Sequence, residues 1–295
     1  MERILLVGGT GTLGGAVALR LLSAGRPVRV LTRAPERAAA LRERGAEIVT
    51  GDLLDVQSLQ HACRGVTHVI TTANAFIGSG RNSVRTVDEQ GNRRLIEAAT
   101  SEGVRRFVFT SALLGEAYQA IDYFAAKRQI EAYLRASGLP FTILRPTAFM
   151  ETWAMVIGEP MLRAGATNVF GPGTHPINFV AVDNVADVAV LALDDPAALN
   201  GVVKIGGPEN LTLNQVVDIF ERARGRPGRR RHLPVALLHA IGTLLRPFNP
   251  ALARQMKAGA LMGSGPQPFD PGPMLERYPV VLIPLEHWVR QRYGR

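Results

Sequence analysis

Short apolar runs alternate with longer amphipathic stretches through the first half of the chain. The runs fall at 4–7 (ILLV), 28–31 (VRVL), 47–50 (EIVT), 68–71 (HVIT), 107–110 (FVFT) and 141–145 (FTILR). Between them, 14–24, 34–44 and 87–102 repeat their apolar residues at helical spacing. Strand-length apolar runs separated by helix-length segments predict βαβ units. Such units build a parallel sheet covered by helices on both faces, with right-handed crossovers. The rhythm breaks after Pro146. Residues 151–176 hold Trp153, Gly158, Pro160, Gly171, Pro172 and Gly173, which predicts a loop-rich excursion. A strand over 177–182, a helix over 185–193 capped by Asp183, and a strand over 202–206 are expected next. Beyond residue 208 the pattern is helical with proline-rich connections. The expected fold is α/β, a doubly wound parallel sheet in residues 1–150 with a smaller, mostly helical lobe over 151–295. The strands near 177–182 and 202–206 are expected to rejoin the sheet or its edge.

The composition narrows the classes. The chain has 295 residues, 46% hydrophobic and 20% charged, enough for a large core and too apolar for wholesale disorder. Cys63 is the only cysteine, which excludes a disulfide framework and a multi-cysteine zinc site. It also points to a reducing compartment, so the expected location is cytoplasmic. The N-terminal apolar run is shorter than a secretory core of about 7–15 residues. No uncharged apolar stretch reaches the roughly 18 residues of a membrane span. No His, Asp and Glu set has metal-ligand spacing, so no metal is expected. The net charge is +9. Arg222, Arg224, Arg226, Arg229, Arg230 and Arg231 form one basic cluster. It reads either as an anion or nucleic-acid patch or as a solvated turn. Gly225, Pro227 and Gly228 interrupt it and no aromatic residues interleave, which favours the turn and argues against nucleic acid.

The first strand runs directly into Gly8-Gly9-Thr10-Gly11-Thr12-Leu13-Gly14-Gly15. In the pattern Gly8-x-x-Gly11-x-x-Gly14, the first glycine permits a tight turn. The second lets backbone approach a pyrophosphate, and the third lets helix pack on strand. The helix that opens there aims its free N–H groups and positive dipole end at phosphates. The strand–turn–helix context makes this a dinucleotide turn, with Gly8, Thr10, Gly11, Thr12, Leu13 and Gly14 as its expected contacts. An NAD-binding turn usually places an acid after the second strand, on the ribose 2′-hydroxyl. Here Thr32-Arg33 stands there instead. Arg33, with Arg37 in support, suits a 2′-phosphate, so the expected cofactor is NADP(H). Asp52 and Leu53, after the third strand, are candidates for the adenine, although Asp52 is equally read as a helix cap. Thr72, Ala73 and Asn74, after the fourth, suit the adenosine ribose.

A second constellation follows the fifth strand. Ser111 ends it, and Tyr123 and Lys127 lie further on in a helical stretch. Spacing i, i+4 puts Tyr123 and Lys127 on one helix face. A lysine ammonium near a phenol favours the phenolate and makes it a usable proton donor or acceptor. Ser111 could hold a substrate oxygen, and Lys127 could also bind the nicotinamide ribose.

These residues resemble a known family. The glycine turn, Arg33, Gly51-Asp52-Leu53, Gly91-Asn92, Thr110-Ser111 and Tyr123-x-x-x-Lys127 carry the likeness. So do 137–139 leading into Leu144-Arg145-Pro146, and Phe179 through Asp187. Over about residues 3 to 220 the chain resembles the extended or atypical short-chain dehydrogenases, in particular the NmrA-like group. The resemblance implies a Rossmann-type domain that binds NADP(H), adds Pro146 to the cofactor contacts, and implies a small substrate over the nicotinamide. The group includes quinone and other reductases, and also redox sensors and complex-associated subunits that catalyse nothing. Many atypical members lack the tyrosine, so Tyr123 leans toward catalysis, with Tyr123, Lys127 and Ser111 as catalytic candidates.

Phe149, Met150, Trp153 and His175 are the substrate-contact candidates, with Phe76, Leu113 and Phe179 beside them. They are mostly apolar and suit a small hydrophobic carbonyl, enone or quinone. The main alternative is an NADP(H) sensor or complex subunit. A homodimer is compatible with either. The leucines of 233–262, with Arg246, Arg254 and Lys257, could form amphipathic helices for peripheral membrane contact. Pro234, Pro247 and Pro250 break any long helix there, which favours a role in the substrate lobe.

Overall fold

The computed structural model describes residues 2–113 and 115–294. The chain divides into two compact units. One comprises Met1–Ala112, Asp122–Arg145 and Val185–Lys204; the other comprises Leu113–Ile121, Pro146–Asn184 and Ile205–Arg295. The chain therefore passes between the two units several times.

The first unit is built on strands β1 (Ile4–Val7), β2 (Val28–Thr32), β3 (Glu47–Thr50), β4 (His68–Thr71), β5 (Arg106–Thr110) and β6 (Phe141–Pro146). Helices α1 (Thr12–Ser23), α2 (Ala39–Glu43), α3 (Val56–Cys63), α4 (Asn92–Ser101) and α5 (Asp122–Ala136) connect them. A π-helix, Val84–Gly91, leads directly into α4. Every residue of β1, β2 and β5 is buried, which is why their sequences read as continuous apolar runs.

The second unit adds β7 (Ala148–Phe149), a π-helical turn (Met150–Ala154), α6 (Met155–Ala164), β8 (Ala166–Phe170) and β9 (Pro176–Val180). Then α7 (Val182–Asp194) and β10 (Gly201–Ile205) carry the chain back to the first unit. The remainder is β11 (Asn210–Thr212), α8 (Leu213–Arg224), β12 (Arg229–Leu233), α9 (Val235–Leu244), α10 (Pro250–Ser264), α11 (Gly272–Arg277) and α12 (Leu285–Tyr293).

The main sheet has the order β10-β6-β5-β4-β1-β2-β3. Its strands run parallel, for example Ile4 beside Val28 and His68. The order reverses at β1, between β2 and β4. In open α/β sheets such a reversal opens a crevice at the carboxyl ends of the strands, where ligands bind. Leu5, Leu59, Leu95, Phe107, Phe109 and Ile143 form a core of this unit, all fully buried.

Four expectations are corrected here. β10 joins the main sheet, but β9 does not. It pairs with β11 and β7 in a separate three-stranded sheet. Helix α7 begins at Val182, so Asp183 lies in its first turn and not at its cap. Residues 151–176 are not a loop-rich excursion but contain α6 and β8, and Gly158 is a packing residue within α6: a Cβ there would stand 2.2 Å from the Phe220 ring. The basic cluster is not a solvated turn throughout. Residues 229–233 form β12 beside β8, and Arg230 pairs with Asp218 and Glu221 at 2.7 Å each. Met150, Phe179, Phe220 and Trp288 belong to the core of the second unit.

Candidate functional site

At the reversal point, β1 runs into the glycine turn and β4 is followed by Thr72. The Thr72 N–H donates to Val7 O at 2.9 Å and its hydroxyl to Gly8 O at 3.3 Å. Gly8 has φ +87°, and a Cβ there would meet Thr72 Oγ1 at 2.6 Å. Gly14 sits against the same turn, where a Cβ would lie 2.2 Å from Gly8 O. Both positions require glycine, one for backbone conformation and both for space. Gly11 stands at the N-cap of α1 with no side-chain cap bond, and the first turn of α1 carries no acid. Its leading N–H groups are thus left to an anion.

A groove of about 370 Å³ opens over this turn. Its floor comes from Gly8, Thr10 and Gly11, and its walls from Arg33, Arg37, Asp52, Leu53, Thr72, Ala73 and Asn74. Thr12, Leu13 and Gly14 form the first turn of α1 beside it. The groove thus joins a helix N-terminus with open N–H groups, a cradle that a Cβ would fill, and two arginines. That set fits a phosphorylated dinucleotide. Pro146 is buried in the second unit, where its carbonyl accepts from Leu113 N at 2.7 Å. It is not among the groove residues.

Asp52 is not a helix cap. Asp55 caps α3, accepting from Gln57 N at 3.0 Å. Asp52 Oδ1 accepts from Leu54 N at 3.0 Å, and its Oδ2 faces Arg81 at 3.4 Å. Arg33 donates to Asn82 Oδ1 at 2.6 Å. Arg81 and Asn82, in the loop after β4, were not legible as site residues. Only the groove geometry brings them opposite β2 and β3.

The Tyr123 and Lys127 constellation lies next to this groove. Ala75 lines the groove, and its N–H donates to Asp88 Oδ2 at 2.9 Å. Asp88 Oδ1 is 3.2 Å from Lys127 Nζ, and both side chains are buried. Lys127 Nζ also lies over two rings, 5.0 Å from the centroid of Phe109 and 5.3 Å from that of Tyr123. Tyr123 packs edge-on against Phe76 at 5.0 Å and Phe124 at 4.9 Å. The sequence did bring Tyr123 and Lys127 together, as their spacing required. It missed Asp88, which shares the lysine charge. The available signal was spacing: Asp88 and Asn92 lie i, i+4, and Asn92 donates to Val87 O and Asp88 O while accepting from Thr71 Oγ1.

Ser111 is buried. Its hydroxyl donates to Glu131 Oε1 at 2.5 Å, and Glu131 is also held by Arg145 through its Nε at 2.9 Å. A serine has one O–H donor, here directed at Glu131, and two lone pairs that accept. Burial pushes the Glu131 carboxyl up, but the hydrogen bonds from Arg145 and Ser111 outweigh it. The net result is a carboxyl held below its ordinary range. Met150 and Phe179 are corrected. Both are fully buried in the core of the second unit and present no open surface to a substrate. Leu113, Phe149, Trp153 and His175 are half-buried.

The chain matches the NmrA-like family over residues 1–262. The chain belongs to the NmrA-like family. Among NmrA-like relatives, a (4-alkanoyl-5-oxo-2,5-dihydrofuran-3-yl)methyl phosphate reductase of Streptomyces griseus is 34% identical over 236 residues, covering 79% of this chain and 77% of that one. The photosystem II assembly factor Ycf39 of Synechocystis is 28% identical over 299 residues, covering 99% and 91%. An NADPH-dependent quinone oxidoreductase of Escherichia coli, solved with NADPH, superposes with TM-score 0.79 at 21% identity, covering 99% and 100%. That likeness establishes the Rossmann-type fold of this NmrA-like chain. Among its described residues, no helix is long and apolar enough to cross a membrane.

Proposed function

We propose that this chain is an NADPH-dependent reductase acting on a small hydrophobic carbonyl, enone or quinone. The observation that carries the reading is the linkage from groove to lysine. Ala75 lines the groove, Asp88 holds Ala75 N–H, and Lys127 pairs with Asp88 beneath the Tyr123 ring. In this reading Gly8, Thr10, Gly11 and the α1 N-terminus hold the pyrophosphate, and Arg33 and Arg37 hold the 2′-phosphate. Asp52, Leu53, Thr72, Ala73 and Asn74 enclose the adenosine. When bound, NADPH supplies the hydride. Lys127 orients the ribose and keeps positive charge beside the reacting centre. Tyr123 gives its proton to the substrate oxygen, so that hydride and proton together complete the reduction. Phe76, Phe124 and Tyr123 provide an aromatic surface beside the lysine and keep water from it.

The Streptomyces reductase and the E. coli quinone oxidoreductase support this reading by their activities. A second reading, NADP(H) binding without turnover in the service of an assembly, is supported by the nearly full-length likeness to Ycf39. NADPH consumption against a panel of quinones, enones and carbonyls separates them. The reductase reading expects turnover on at least one class, with large losses in Tyr123→Phe and Lys127→Ala. Full turnover in both variants overturns the assigned proton route. Tight NADPH binding without turnover on any member favours the assembly reading.

A further inference from the structure

Helices α9 and α10 form a hairpin whose tip is the most exposed apolar surface among the described residues of the second unit, apart from Val281. The prolines at 247 and 250 do not abolish helices here. They shape the turn between two helices, and Asn249 caps α10 by accepting from Leu252 N at 3.0 Å. Helix α9 is apolar on both sides. Its inner side buries Leu238 and Gly242, and Gly242 lies so close to α10 that a Cβ would stand 3.0 Å from Ala253 O. Its outer side and the following turn leave Leu237 43%, Leu244 73% and Phe248 85% exposed. These three positions are seven and four residues apart, so they run along one side of the helix and its extension. His239 and Thr243 are the only polar residues of the helix, and a helix with apolar residues on both sides normally has both covered.

The charges indicate what covers the outer side. Residues 233–269 contain no Asp or Glu. Arg246 stands exposed at the tip between Leu244 and Phe248, and Lys257 follows on α10. A two-fold contact through this tip would bring two Arg246 side chains together with no acid in the hairpin to offset them. A surface of anionic headgroups above an apolar layer matches both features. Leucine and phenylalanine side chains enter the acyl boundary, while a guanidinium on an apolar stem stays at the phosphates.

We propose that the tip of the α9–α10 hairpin is a peripheral docking surface for a bilayer with anionic headgroups, inserted through Leu244 and Phe248 and held at the phosphates by Arg246. The test is co-sedimentation of the full chain with phosphatidylcholine vesicles, with and without phosphatidylglycerol. The expected result is several-fold more binding to the anionic vesicles, reduced by added salt. Leu244→Asp and Phe248→Asp should each reduce that binding about tenfold, and Arg246→Glu should bring it to the phosphatidylcholine level. These side chains are exposed, so thermal melting should be unchanged; Phe248→Ser provides a milder second variant. The proposal is overturned if the wild-type chain shows no preference for anionic vesicles, or if the aspartate and serine variants bind as well as wild type. It is equally overturned if sedimentation velocity shows a dimer that Phe248→Asp dissociates, since the face would then belong to a second copy.

Discussion

Lys127 and Asp88 form an ion pair at 3.2 Å with both side chains buried. Removing one partner of such a pair leaves an uncompensated charge in the interior, which costs about 3–5 kcal/mol. Asp88→Asn and Lys127→Met should each lower unfolding stability by about that amount in urea titration. The double variant should lose less than the sum of the two, because neither charge is then left behind. Strict additivity would show that the pair is not coupled.

Gly14 faces Gly8 O across the turn, and a Cβ there would sit 2.2 Å from that oxygen. Gly14→Ala must push the turn and α1 apart. The expected outcome is a stability loss of about 1–3 kcal/mol from overpacking, together with loss of the thermal stabilisation that NADPH gives. A variant that melts like wild type and is still stabilised by NADPH would contradict the cradle assignment.

Arg33 lines the groove at the end of β2 and donates to Asn82. Replacing it by alanine should raise the Kd for NADPH roughly tenfold or more while leaving that for NADH nearly unchanged. Equal effects on the two cofactors would move the 2′-phosphate contact elsewhere. Titration calorimetry measures both.

Glu131 gathers Ser111 and Arg145, with Arg128 at 3.6 Å. Its carboxyl is held below the ordinary range in the folded chain. The unfolded chain therefore takes up this proton at higher pH than the folded one. The stabilisation is fully present above the unfolded value, about 4.3, and is lost as pH falls through the folded value. Glu131→Gln should be less stable than wild type at neutral pH by about 3 kcal/mol. That gap should narrow as pH drops below the unfolded carboxylate value. A gap independent of pH would mean that shape, not charge, is what Glu131 provides.

The fold was legible where one element dictates its own pattern. Strands β1, β2, β4, β5 and β6 are buried along nearly their whole length, and their apolar runs could be read directly; β3, at the sheet edge, buries only Val49 and was legible from its β-branched residues and spacing. The glycine turn was legible because each glycine answers a local demand of backbone or space. Pairings that depend on distant elements were not. The strand at Pro176–Val180 has the same apolar character as the main strands, and nothing in it tells which sheet it joins. Ser111 looked free because its partner, Glu131, comes from a helix twenty residues on. Lys127 read as a partner of Tyr123 alone, because its second partner, Asp88, comes from the π-helix before α4. The prolines near 247 read as breakers of any long helix, and they do separate α9 from α10.

Hydride delivery from NADPH in the groove to a small hydrophobic acceptor beside Lys127 is followed by incubating the chain with NADPH deuterated on one face or the other of the nicotinamide C4, together with quinones, enones and carbonyls. The expected result is an acceptor whose reduced product carries deuterium from one labelled face only, with the transfer lost in Lys127→Ala. NADPH that binds tightly yet stays unoxidised with every acceptor, leaving no deuterium in any product, would contradict it.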